Sequence, residues 1–170
     1  MNTYQVIKPQ EVTENTFQLI GSDWMLVTAQ NNDKVNTMTA SWGGFGIMWG
    51  KPVAYVVIRP QRFTREFVDA ADGFTLTFFP DDYKKELGYL GTVSGRNEDK
   101  ISKAGLTIVS KDGYPYFEEG NLVIKVKKLF KQRYTEDSFL DQSIIDKFYP
   151  EKDFHYLYIC EIEEILKKAL

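Results

Sequence analysis

The sequence predicts a mainly β fold, a closed or partly closed barrel with a few short peripheral helices. Residues 53–58, VAYVVI, and 74–79, FTLTFF, are apolar runs of strand length. Residues 122–135, LVIKVKKLFKQRYT, form the longest strand candidate, with Leu122, Ile124 and Val126 on one face and Val123, Lys125 and Lys127 on the other. Aromatic residues make up 15% of the chain, ten Tyr and twelve Phe among them, which favours strands and leaves flat side chains for an interface or a ring-shaped ligand. With 170 residues and 43% apolar content, one domain spanning residues 1–170 is expected, since two separate cores would be thin at this length.

In chain order, residues 17–30, FQLIGSDWMLVTAQ, read as two short strands interrupted by Gly21-Ser22-Asp23. Asn31-Asn32-Asp33-Lys34 then turns the chain into a strand over 35–41, as in a hairpin. Residues 43–50 read as a glycine-rich link, and the run 53–58 as a strand buried on both faces and stopped by Arg59-Pro60. Thr64 is placed to cap a short helix that Asp72-Gly73 ends. After the strand 74–79, DDYKKELGYL at 81–90 predicts a helix closed by Gly91, and 99–104 another helical turn before a strand at 106–110. Residues 141–148 read as a helix, and 155–166 as the closing strand with a helical or frayed tail. Six to eight strands of this kind hide their edges better in a barrel than in an open sheet.

Composition excludes several function classes. A net charge of -3 argues against nucleic acid as a partner, because backbone binding needs many clustered cations. The basic string KVKKLFKQR at 125–133 places Lys125 and Lys127 one strand period apart, the pattern of a solvated face. One cysteine, Cys160, forbids an intrachain disulfide and any cluster needing several thiolates from one chain, and one histidine leaves little for a transition metal. No membrane partner is expected, and MNTYQVIKPQEV has no leader pattern, so a cytoplasmic location follows by default. Gly43, Gly44, Gly46 and Gly50 do not make a Walker loop, since Phe45 stands five before Gly50 and Pro52 follows Lys51. A G-x-G-x-x-G after an opening strand is also missing.

The chemistry-bearing residues lie mostly between 33 and 64. Asn36, Thr37, Thr39 and Ser41 put amides and hydroxyls on one strand, while Arg59, Arg62 and Thr64 put two guanidinium forks and a hydroxyl where the next buried strand ends. That pairing suits a planar ligand bearing a phosphate, because Arg donates two parallel bonds and a helix N-terminus favours an anion. The same residues also have a structural reading, in which the hydroxyls pack, Thr64 only caps its helix and the arginines pair with surface carboxylates.

The strings NTMTASWGGFGIMWGKP, VVIRPQRFT, FTLTFFP and GTVSGRNEDK, in that order and spacing, resemble the flavin reductase-like family, including flavoredoxin-type proteins, over roughly residues 15–165. The resemblance implies a split β-barrel that binds FMN, a homodimer with the flavin site near its interface, and transfer of hydride from NADH or NADPH to flavin N5, with a flavin or a redox partner as acceptor. It also admits a noncatalytic electron carrier reduced by a protein partner. Carried over by position, it implies flavin contacts along Asn36, Thr37, Met38, Thr39, Ala40, Ser41 and Trp42. Phosphate contacts are implied at Arg59, Arg62, Thr64 and Lys100, with Ser94 as a further candidate. His155, where the family often has a histidine near the flavin, is the candidate catalytic residue; an unassigned histidine at a strand start is the competing reading. Cys160 departs from a glycine frequent nearby and is expected to be a small buried hydrophobe.

Overall fold

Residues 3–169 are described by the computed structural model. Along the chain run β1 (Tyr4–Ile7), α1 (Thr16–Gln18), β2 (Met25–Asn31), β3 (Lys34–Ala40), β4 (Gly44–Met48), β5 (Lys51–Ile58), α2 (Phe63–Ala70) and β6 (Gly73–Phe78). Then follow α3 (Lys84–Thr92), α4 (Lys100–Ala104), β7 (Ile108–Lys111), β8 (Tyr114–Phe117), β9 (Leu122–Arg133), α5 (Gln142–Phe148) and β10 (Tyr156–Lys168). The main sheet is antiparallel in the order β3-β2-β6-β9-β10-β5-β4, with β1 added to the end of β10. Residues Tyr156–Glu161 of β10 pair with β5 and Ile165–Lys168 with β1; two register irregularities, at Ile159/Cys160 and Ile162/Glu164, let the strand bend between them.

The sheet curls because its inward residues share one core. Met38 of β3 and Ala54, Val56 and Ile58 of β5, near opposite ends of the strand order, belong to the same buried cluster as Leu76, Ile124 and Tyr158. Phe45 of β4 reaches across to Phe78 of β6 with ring centroids 6.3 Å apart. β3 and β4 do not pair with each other, so the barrel is split along that seam.

Several local expectations are corrected. Residues 16–23 are helical and only one strand follows: the Asn15 side chain accepts the N–H groups of Phe17 and Gln18, which starts a helical turn that buries Leu19 and Ile20. The glycine-rich stretch is an edge strand, β4, turned into β5 by Trp49 and Gly50, both left-handed at φ 53° and 71°. Ala54, Val56 and Ile58 seal one face of 53–58, whereas on the other Val53 is buried but Tyr55 and Val57 are only partly buried. Lys125 is buried: the β7–β8 hairpin lies over it, placing the Tyr114 ring 5.9 Å from its ammonium, and Glu164 pairs with it at 2.6 Å. The end of β10 is strand up to Lys168, held by β1, where a helical or frayed tail was expected. No helix among the described residues is long and apolar enough to cross a membrane.

Candidate functional site

The end of β3, the end of β5, the loop 59–62, Gly91 and His155 surround a cleft of about 510 Å³, within the range of small-molecule sites. A smaller pocket of about 170 Å³ adjoins it, sharing Met38, Gln61 and Arg62 and adding Asn36, Thr64, Ser94 and Lys100. Together they form a groove whose wide end is edged by Trp42 and His155 and whose narrow end is lined by Lys100.

Strand alternation divides the β3 residues. Asn36 and Met38 line the groove, and Asn36 Nδ2 donates to Thr64 Oγ1 at 2.8 Å. Gly95 packs so closely on the Asn36 amide that a Cβ there would overlap its Oδ1. Thr37 does not reach the groove: its hydroxyl is fully buried, 2.8 Å from Thr28 Oγ1, and donates to the Val27 carbonyl at 3.1 Å. The expected contact of its side chain with a ligand is therefore corrected; it ties β3 to β2. Thr39 donates to the Leu87 carbonyl at 2.5 Å, joining β3 to α3, and with Ala40, Ser41 and Trp42 it lines the wide end.

The cations separate into two groups. Arg62 donates to the carbonyls of Gly91 at 2.9 Å and Thr39 at 3.3 Å, and Lys100 to those of Leu90 and Val93, both at 2.9 Å. Among the described residues neither has a carboxylate partner. Burial, then the nearby Arg62, pushes the Lys100 ammonium down to about 8, and burial, then Arg59, lowers Arg62. Arg59 lines the wide cleft with Arg62 but not the narrow pocket that holds Thr64 and Lys100. It bonds Asp153 at 2.9 Å and the Phe148 carbonyl at 3.0 Å, and its guanidinium lies 5.0 Å from the Tyr149 ring centre, so in the free chain it already has a carboxylate partner.

Thr64 is not the cap of α2. Arg62 occupies that position without a side-chain bond to the helix N–H groups, and Thr64, second in the helix, turns its buried hydroxyl to Asn36. The first turn of α2 thus lacks a side-chain acceptor and points beside Ser94 and Lys100. Arg96 turns away, pairing with Glu66 above the Phe63 ring.

At the wide end His155 is buried, with Trp42 packed at a tilt 5.1 Å away between ring centres and Tyr149 Oη 2.6 Å from Nδ1. Burial, then Arg59, pushes its imidazole down to about 4, so it is neutral near pH 7. Cys160 lies wholly in the core, where burial pushes the thiol up to about 12; it is inert packing.

Residues 17–167 match the family model described as flavin reductase like domain. The chain belongs to the flavin reductase-like family. Similar folds include an FMN-binding domain of flavin reductases-like enzyme from Shewanella baltica, 16% identical, covering 98% of this chain and 78% of that one, with a TM-score of 0.70. Flavoredoxin of Desulfovibrio vulgaris is 22% identical over 96% of this chain and 77% of its own, with a TM-score of 0.67. An FMN-binding protein of Thermus thermophilus is 22% identical over 97% and 81%, with a TM-score of 0.64. Among curated proteins, high molecular weight rubredoxin of Moorella thermoacetica is 32% identical over 99 residues, 57% of this chain and 42% of that protein, so the chain spans less than half of that relative's length.

Within this flavin reductase-like domain, sequence reasoning passed over Gln61, which lines both pockets and bonds Asp153 at 2.8 Å, and Tyr149 behind His155. Gln61 lay inside the quoted RPQRFT string and its place between two arginines was a usable signal. Nothing local marks Tyr149. Chemically, the groove offers an apolar strip, Met38, Ala40 and Val57, beside backbone and side-chain polar groups, and a cationic end.

Proposed function

We propose that the groove binds FMN and that the chain is an NAD(P)H-dependent flavin oxidoreductase. The observation that carries the reading is the pair Arg62 and Lys100, half or more buried, bonded only to backbone carbonyls, and set beside the uncapped first turn of α2. Two such cations without a counter-charge are costly unless an anion joins them. A phosphate dianion fits that end, and the apolar strip under Trp42 fits a flat ring system at the other. The FMN-binding proteins of the same fold support the same cofactor.

In this reading Arg62, Lys100 and Ser94 hold the phosphate, with N–H groups of the first α2 turn as further donors. Asn36 and Thr64 keep the two pocket walls in register, and Thr39, Ala40 and Ser41 supply groups toward the ribityl chain and ring edge. Met38, Val57 and Trp42 exclude water from the ring. What the bound cofactor supplies is acceptance of one hydride at N5 from NADH or NADPH and release of its two electrons to a second acceptor. Arg59 and the neutral His155 border the wide end, where the donor enters.

A second reading, an electron carrier reduced by a protein partner, is favoured by the likeness to a high molecular weight rubredoxin. Anaerobic absorbance of the FMN-loaded chain separates the two: bleaching of the flavin band by NADH or NADPH supports the reductase, and an unchanged band on bound FMN supports the carrier.

The same reading includes a homodimer. Trp42, Trp49, Phe130 and Phe148 are all more than a third exposed, and Trp42 packs on Phe148 at the mouth of the cleft, so a second copy seated there covers apolar surface beside the flavin. Sedimentation of the FMN-loaded chain as a monomer at micromolar concentration would contradict it.

A further inference from the structure

Tyr149, just past the end of α5, and His155, just before β10, meet behind the wall of the wide cleft. Tyr149 Oη and His155 Nδ1 are 2.6 Å apart, and both side chains are buried. Trp42 packs against the ring at a tilt, and the backbone at His155 is fixed by its carbonyl, which accepts the Tyr134 N–H at 2.9 Å. Nε2 differs from Nδ1. It has no partner among the described residues, yet it is not sealed from solvent, and His155 lines the cleft, so this nitrogen is the one left open to a ligand.

We propose that Tyr149 is a positioning residue whose hydroxyl donates to Nδ1 of His155 and holds the ring as the Nε2–H tautomer, so that the cleft is offered a hydrogen-bond donor and not a base. A phenol has a single proton to give, and burial raises Tyr149 above its ordinary value, so the O–H is intact at neutral pH. The charged and titratable groups facing the imidazole are Arg59 from the end of β5, Arg62 from the following loop, Asp153 ahead of β10, and Tyr134 after β9. Burial and the two arginines outweigh Asp153 and keep the ring neutral. An Nε2–H donor recognises an acceptor atom on the ligand, a carbonyl oxygen of a flavin ring edge or of a carboxamide. That use of the donor rests on the FMN reading; the tautomer itself is a property of the chain.

His155 is the sole histidine of the 170 residues, so this chain labelled with ¹⁵N-histidine reports one ring. The wild-type spectrum at pH 7 is expected to show Nδ1 unprotonated and Nε2 protonated, unchanged down to pH 5. Tyr149→Phe is expected to mix the tautomers and to raise the ring's titration only slightly, because a donor at Nδ1 favours the neutral form while burial and Arg59 still hold it down. A wild-type ring protonated at Nδ1 overturns the proposal without any variant. So does a folded Tyr149→Phe protein whose tautomer is unchanged. Addition of FMN is expected to shift the Nε2 signal; an Nε2–H ring that ignores FMN upholds the role of Tyr149 and contradicts the flavin assignment alone.

Discussion

Asn36 Nδ2 donates to Thr64 Oγ1 at 2.8 Å, and this buried bond joins the middle of β3 to the first turn of α2. Gly95, pressed against the same amide, brings the turn after α3 to the same point. Three segments distant in sequence thereby form the narrow end of the groove, and the bond sets the spacing between the strand that faces a ring and the helix end that faces a phosphate.

Thr64→Val keeps the shape and removes the acceptor, leaving a buried amide N–H unpaired. The expected cost is about 1–3 kcal/mol of stability together with weaker FMN binding. Thermal denaturation and FMN titration of the same variant check both.

Thr37→Val tests the direction of β3. Its hydroxyl bonds only to β2, so the variant is expected to lose on the order of 1 kcal/mol of stability and to keep wild-type FMN affinity. A large affinity loss in a folded Thr37→Val protein would show that the residue acts on the ligand.

Lys100 makes binding depend on pH. In the free chain its ammonium is pushed down to about 8, below the ordinary 10.5 of an unfolded lysine. Between those values the unfolded chain holds more protons, so this group's contribution to stability rises with pH. A phosphate beside Lys100 favours the charged form, so FMN binding takes up a proton and its affinity is expected to fall by up to about tenfold per pH unit above pH 8. Lys100→Gln is expected to bind FMN more weakly and to lose that slope, read by calorimetry in buffers of different ionisation heat.

Much of the barrel was legible because strands print their period locally: Leu122, Ile124 and Val126 face the core as the alternation says, and the helix expected at 141–148 is α5. The turn chemistry of Asn32-Asp33 also served. What failed depends on distant chain. Lys125 looks solvated until the β7–β8 hairpin covers it, and the four glycines disguised β4 because its edge pairing comes from β5. For the site, the period separates Asn36 and Met38 from Thr37 but does not say which set meets the groove. Arg62 and Thr64 were legible as polar groups at a strand end, whereas the pairing of Arg59 with Asp153, 94 residues on, and of Tyr149 with His155 required the fold.

The most direct measurement is calorimetric binding of FMN and of riboflavin, which lacks the phosphate, to the wild-type chain and to the Arg62→Ala, Lys100→Ala double variant. The expected result is FMN at least about tenfold tighter than riboflavin in the wild type, a preference of about 1.4 kcal/mol or more, collapsing in the variant while riboflavin affinity holds. Equal affinity of the wild type for both ligands would contradict the assignment of Arg62 and Lys100 to a phosphate.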